Sequence, residues 1–208
     1  MKTGVIGAGR IGAVLARLLV AAGHPVCLAG AHGPERLAPL IDELGPRASA
    51  GTPHEVARES ELLVLMVPFD SAEGLLPPES LAGRVLVDAM NAFAGAGAPR
   101  DLGGRGSSEL VAELYPKARL VKSLNTMHYE TLATAGRPGA VDGGERLAHY
   151  VSGDDQEAKE TVAALISELG FAPVDTGSLH TGGLLQQPGG PLFNKPMTER
   201  QARAVIGS

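Results

Sequence analysis

The sequence predicts a doubly wound α/β fold built on a mostly parallel sheet, and three features carry that expectation. Strand-like and helical segments alternate from the first residues. A Gly-x-Gly-x-x-Gly run joins the first strand to the first helix, and later strands are unbroken apolar runs, ELLVLMV at 61–67 and RVLVD at 84–88. Such runs belong to sheets covered on both faces, because a sheet wet on one side alternates polar with apolar residues.

Residues 3–6 form the first strand. Beyond the glycines, Ile11, Val14, Leu15, Leu18 and Leu19 recur at helical spacing until Gly23 stops the helix. A second strand at 25–29 precedes a helix at 34–44, opened by Pro34 and closed by Gly45, as the chemistry of helix ends prefers. The runs at 61–67 and 84–88 are central parallel strands. A short helix at 107–114 and strands at 119–123 and 149–152 follow. A helix at 154–169 is capped by Ser152-Gly153-Asp154-Asp155 and carries Ala158, Val162, Leu165 and Ile166 on one face, before a last strand at 172–175. Glycine-rich stretches at 92–106 and 135–144 are loops.

Composition narrows the function. The chain has 208 residues, 44% of them hydrophobic, which excludes intrinsic disorder. A formal charge of -5, with no basic stripe, argues against a nucleic-acid partner. Arg10 and Arg17 break the N-terminal apolar stretch well short of the roughly 20 residues of a membrane span. No targeting segment or metal site is expected, and a cytoplasmic protein is. Cys27 is the single cysteine; it lies in an apolar run and reads as a small buried hydrophobe.

A strand that ends in Gly7-Ala8-Gly9-Arg10-Ile11-Gly12 and feeds a helix is the fingerprint of a Rossmann dinucleotide site. Gly7 allows the tight turn, Gly9 lets the backbone approach a pyrophosphate, and Gly12 lets helix pack on strand; the helix N-terminus attracts the anion. At the end of the second strand, where an acid would bind a ribose 2′-hydroxyl, stand Gly30, Ala31 and His32. With His32, Arg36 and Arg10 within reach of a 2′-phosphate, NADP is favoured over NAD. Arg36 is the better ligand, because His32 is fully charged only below a pKa of about 6.5.

The other strand ends face the same crevice. Val67-Pro68 forms a rigid wall, and Asn91 and Asn125 offer donors and acceptors suited to a carboxamide, with Thr126 and Met127 beside them. His128 and Tyr129 are candidate proton donors, whereas His24, His54, His149 and His180 read as surface or cap residues. The chain beyond Asp175 is too short for a separate substrate domain, which suits hydride transfer between two bound cofactors, a reaction needing little beyond stacking and orientation. Few aromatics, 3% of the chain, leave the nicotinamide as the stacking platform. The domain reading is thus one unit, 1–208, with a dinucleotide-binding core at 1–126 and an extension at 127–208 completing the acceptor site.

The ordered motifs VIGAGRIG, AGAHGPERL, LLVLMVPF, VLVDAMNAF, LVKSLNTMHY, LGFAPVDTGSL and LLQQPGGPLFN resemble the NADPH-dependent coenzyme F420 reductase family over nearly the whole chain. A more distant similarity is to the cytosolic domain of six-transmembrane ferric reductases. The resemblance implies that Gly7 to Gly12 hold the pyrophosphate, that His32 and Arg36 lie near the 2′-phosphate, and that Pro68 and Asn91 lie near the nicotinamide half. It further implies that Asn125 to His128 lie where nicotinamide and deazaflavin meet, that coenzyme F420 is the second substrate, and that a homodimer forms with Gln186 to Gly189 helping to close the site. Two departures stand out. Gly30-Ala31-His32 replaces the Asn-Ser-Arg of bacterial relatives, which makes mixed NADP/NAD use an expectation, and Leu184 stands where a basic residue is expected, which makes a flavin or quinone a more credible acceptor. Reduction of a small carbonyl or imine with help from His128 or Tyr129, and a non-catalytic nucleotide sensor, remain alternatives.

Overall fold

A computed structural model of the chain describes residues 1–139 and 145–207. Eight strands form one sheet: β1 (Thr3–Ile6), β2 (Val26–Ala29), β3 (Ala48–Ala50), β4 (Leu62–Leu65), β5 (Val85–Asp88), β6 (Arg119–Lys122), β7 (Ala148–Gly153) and β8 (Ala172–Gly177). Their spatial order is β3-β2-β1-β4-β5-β6-β7-β8. All neighbours are parallel except β6 and β7, which pair antiparallel through Val121 with Gly153 and Lys122 with Ser152. The mostly parallel, doubly wound sheet is as expected.

Side-chain alternation explains the unbroken apolar strands. On β4, Leu62 and Val64 join the layer formed by α1 (Arg10–Ala21) and, further along the sheet, α6 (Gln156–Glu168), while Leu63 and Leu65 join the opposite layer with Val56, Val111 and Tyr115. Each fully buried leucine contributes about 1.5–3 kcal/mol, so neither face tolerates a polar residue. Helix α1 buries Val14, Leu15, Leu18 and Leu19 and turns Arg17 outward to Glu43.

Several elements were not expected from the sequence. The predicted 34–44 helix is a 3₁₀ turn, Pro34–Leu37, continued by α2 (Ala38–Leu44), because Pro39 cannot accept the regular helical register. Strand β3 is three residues long and its small side chains, Ala-Ser-Ala, give no apolar run to stand out. Helix α3 (Pro53–Glu59) has a capping box that was legible but unread: Glu55 N–H donates to Thr52 Oγ1 and Thr52 N–H to Glu55 Oε2, with Pro53 at the first position. Later in the chain come α4 (Ser107–Leu114), which was expected, and α5 (Tyr129–Ala135), α7 (Thr181–Gln186) and α8 (Glu199–Ile206), which were not. Of the predicted loop at 135–144, residues 140–144 lie outside the described residues.

Two of the histidines, His24 and His149, need correction. His149 is wholly buried on β7, edge-on to Phe171 at 4.5 Å, with neither ring nitrogen hydrogen-bonded. His24 is buried and meets Glu168, whereas His54 is exposed and His180, exposed and beside Glu109, is the N-cap residue of α7, both as expected. Burial pushes His149 down to about 4. Its folded value lies below the unfolded one, so the stability it permits is full above about pH 6.5 and declines by roughly 3 kcal/mol as pH falls to about 4. Urea denaturation of His149→Leu across that window should show a flatter pH dependence than the parent; parallel curves would contradict the assignment.

Candidate functional site

Strand order reverses between β1 and β4, and the crevice there is where doubly wound sheets bind ligands. Gly7 N–H donates to Ala29 O at 2.9 Å, and its φ of +117° suits only glycine. A Cβ at Gly7 would lie 2.4 Å from Met66 O, and one at Gly12 would lie 2.0 Å from Gly7 O. At Gly9 nothing stands within 4 Å. Helix α1 starts there without a side-chain cap or an acid in its first turn, so its N–H groups and positive end face the crevice. Two glycines thus serve packing, and the third keeps a space clear.

A cleft of about 540 Å³ opens from this turn. It gathers Gly7, Ala8 and Gly9 with Ala31, His32 and Arg36 on one side and Val67 and Pro68 on the other. Leu37, Pro53, Ser71 and Leu75 complete its walls, and none of these was singled out in the sequence. One carboxylate escaped the spacing rule: Glu35 folds back over Gly33, where an added Cβ would sit 2.9 Å from its Oε2. Arg10, Ile11, Gly12, Asn91, Asn125, Thr126 and Met127 lie outside this cleft. A second, more open hollow of about 660 Å³, by Phe171, Arg200 and Arg203, shares no residue with it.

The remaining strand ends build a polar cluster. Asn91 Nδ2 donates to Asn125 O at 3.0 Å, and Asn125 Nδ2 donates to Asn91 Oδ1 at 3.0 Å and to Gln186 O at 2.9 Å. Asn125 Oδ1 is buried and accepts nothing. Leu124, at φ +60°, bends the chain as it leaves β6, a backbone position that costs a branched residue about 1 kcal/mol or more. Thr126 O accepts Asn194 N–H at 2.9 Å, and Met127 is part of the main core. His128 is half exposed, 3.7 Å from Glu130 and ring to ring with Tyr129, over which Arg10 lies at 5.6 Å.

Below the asparagines lies an ion pair that sequence reading missed. Lys122 Nζ donates to Asp88 Oδ2 at 3.2 Å and to Met90 O at 2.5 Å, while Asp88 also accepts Ser108 Oγ–H and Met90 N–H. Both charged side chains are wholly buried. Burial holds the Lys122 ammonium below its ordinary pKa, with Asp88 opposing. The signal was a lysine and an aspartate ending apolar strands, RLVK and VLVD.

Residues 2–92 match the family profile "NADP oxidoreductase coenzyme F420-dependent". The structure of a hypothetical protein from Sinorhizobium meliloti superposes with a TM-score of 0.84 at 36% identity, covering 96% of each chain. A protein from Arthrobacter sp. FB24, proposed to be an F420-dependent NADP reductase, superposes at 0.73 with 30% identity over 88% of this chain and 87% of that one. The chain belongs to the F420-dependent NADP oxidoreductase family. Among curated proteins, rat metalloreductase STEAP3 is 31% identical over 179 residues, 86% of this chain and 34% of that protein. The chain therefore spans about a third of the length of the curated relatives it matches.

The family it belongs to is one of NADP oxidoreductases. In this member of the family the glycine turn, the open helix end and the cleft share the carboxyl edge of the sheet with the Asn91–Asn125 pair. Among the described residues, no helix is long and apolar enough to cross a membrane, and no three His, Cys, Asp or Glu side chains are grouped to hold a metal.

Proposed function

We propose that the protein reduces a planar redox cofactor with NADPH, coenzyme F420 foremost. The observation carrying this reading is the union of a dinucleotide cleft with a strand edge whose buried Lys122 is committed to Asp88 and Met90. An acceptor that itself takes hydride from nicotinamide needs no protein acid beside it, only stacking and alignment. The residues present fit the dinucleotide: the space left by Gly9 admits a pyrophosphate, α1 supplies N–H groups to it, and the unsatisfied Asn125 Oδ1 is an acceptor suited to a carboxamide N–H. When bound, the reduced nicotinamide supplies the hydride; the chain's part is to hold and orient it and to exclude water. The reading includes a cytoplasmic homodimer with Gln186 to Gly189 closing the site, for which sedimentation at two concentrations is the check.

The decisive assay mixes protein, oxidised F420 and NADPH or NADH, and follows deazaflavin absorbance. Turnover is expected; none with either nicotinamide rejects the reading. A flavin acceptor is the second reading, favoured by Leu184 standing where a basic residue is expected, and FMN in the same assay separates the two.

Arg36 and His32 flank the cleft with Glu35 between them in the chain, so cofactor preference is a balance of charges. Arg36→Ala should raise the KM for NADPH about tenfold, the worth of one charge-assisted phosphate contact, and leave that for NADH unchanged. Equal effects on both would remove Arg36 from the 2′-phosphate site.

A further inference from the structure

The four phenylalanines of this chain are unevenly placed. Phe69 follows Pro68 at the exit of β4, Phe93 lies two residues after Asn91 beyond the end of β5, and Phe193 precedes Asn194, whose N–H is tied to Thr126 O at the exit of β6. The fourth, Phe171, is core. Phe93 and Phe193 meet edge to face, centroids 6.0 Å apart, and Phe93 is 41% exposed although it is among the largest apolar side chains of the protein.

This pair is held rather than loose. The stretch leading to Phe193 is pinned to the carboxyl edge by Gln186 O accepting from Asn125 Nδ2, by Gln187 Oε1 accepting Ser107 N–H at 3.1 Å, and by the Asn194 bond to Thr126. On the other side, Phe93 pairs as an isolated bridge with Pro99, and Gly189 packs closely on that proline: a Cβ there would lie 3.3 Å from Pro99 Cγ. Lys195, two residues beyond Phe193, is exposed and has no ion-pair partner among the described residues. An exposed aromatic pair on a pinned frame, with an ammonium two residues along the chain that has no ion-pair partner among the described residues, has the chemistry to receive a flat conjugated ring with an anionic tail.

Resting on the reductase reading above, we infer that Phe93 and Phe193 form the wall against which the tricyclic hydride acceptor stacks, with Lys195 attracting its phosphate-bearing tail. The few aromatics of the sequence are then not absent from ring binding but gathered at it. Deazaflavin and flavin share the ring shape and the charged tail, so the wall accepts the class, and the two are told apart by titration.

The test is binding without turnover. Protein saturated with NADP⁺ is titrated into F420 and, separately, FMN, reading ring fluorescence. The parent should quench at least one of them. Phe93→Ala and Phe193→Ala should each weaken that binding about tenfold, in the range measured for ring stacking on an aromatic side chain, while NADPH affinity and melting temperature hold. Phe93→Tyr, which keeps the ring, should retain binding if Phe93→Ala proves unstable. Lys195→Gln should weaken it by a smaller, salt-sensitive factor. Unchanged affinity in both alanine variants overturns the inference, as does failure of the parent to bind either ring, or a shift from dimer to monomer in the variants with acceptor binding intact. Phe-dependent binding without any turnover by the parent would instead reject the reductase reading and leave the aromatic wall standing.

Discussion

Gly9→Ala should leave the protein as stable as the parent and remove about a hundredfold of its NADPH affinity, near 3 kcal/mol. The added methyl meets nothing within 4 Å in the protein, and Gly9 has φ −77° and ψ −163°, which any residue adopts. Stability should therefore stay within about 0.5 kcal/mol. The space the methyl fills is the approach of the pyrophosphate to the end of α1. Gly12→Ala makes the contrast, because its methyl would stand 2.0 Å from Gly7 O, a backbone atom that cannot give way. The helix must lift from β1, costing about 3 kcal/mol of stability along with the affinity. Thermal melts and NADPH fluorescence titrations on the two variants check both halves. Equal NADPH affinity in Gly9→Ala and the parent would take the pyrophosphate away from this turn.

Lys122→Met should destabilise the protein by about 3–5 kcal/mol, because it leaves Asp88 buried and charged with only Ser108 and Met90 N–H as partners. Most of that loss is the uncompensated charge and not the worth of the pair. Combining Lys122→Met with Asp88→Asn should recover the larger part of it, and urea denaturation of the two single variants and the double one measures the coupling. Strictly additive losses would contradict it. The pair joins β5 to β6 directly below Asn91 and Asn125, so the single variants should also raise the KM for NADPH.

The legible part of this protein was what local pattern records. Apolar runs gave β1, β2, β4 and β5, helical spacing gave α1 and α6, and the glycine run located the turn whose steric demands at Gly7 and Gly12 the structure bears out. Elements without a strong apolar rhythm were lost: β3 is three residues of small side chains, and α7 contains two glycines. His149 was misjudged because a lone histidine in sequence carries no sign of the Phe171 ring that buries it.

By itself, the sequence determined the class of sheet and the place of the dinucleotide turn, since periodicity and glycine requirements act over a few residues. Only the tertiary structure decided that Asn91 pairs with Asn125, that Lys122 neutralises Asp88, that Glu35 bends over Gly33, that β7 runs against β6, and that Phe93 meets Phe193 across the length of half the chain. These are partnerships between strand ends far apart in sequence. They are fixed by which strands become neighbours and in what register, and burial pattern, which records only whether a side chain faces inward, says nothing of what it meets there.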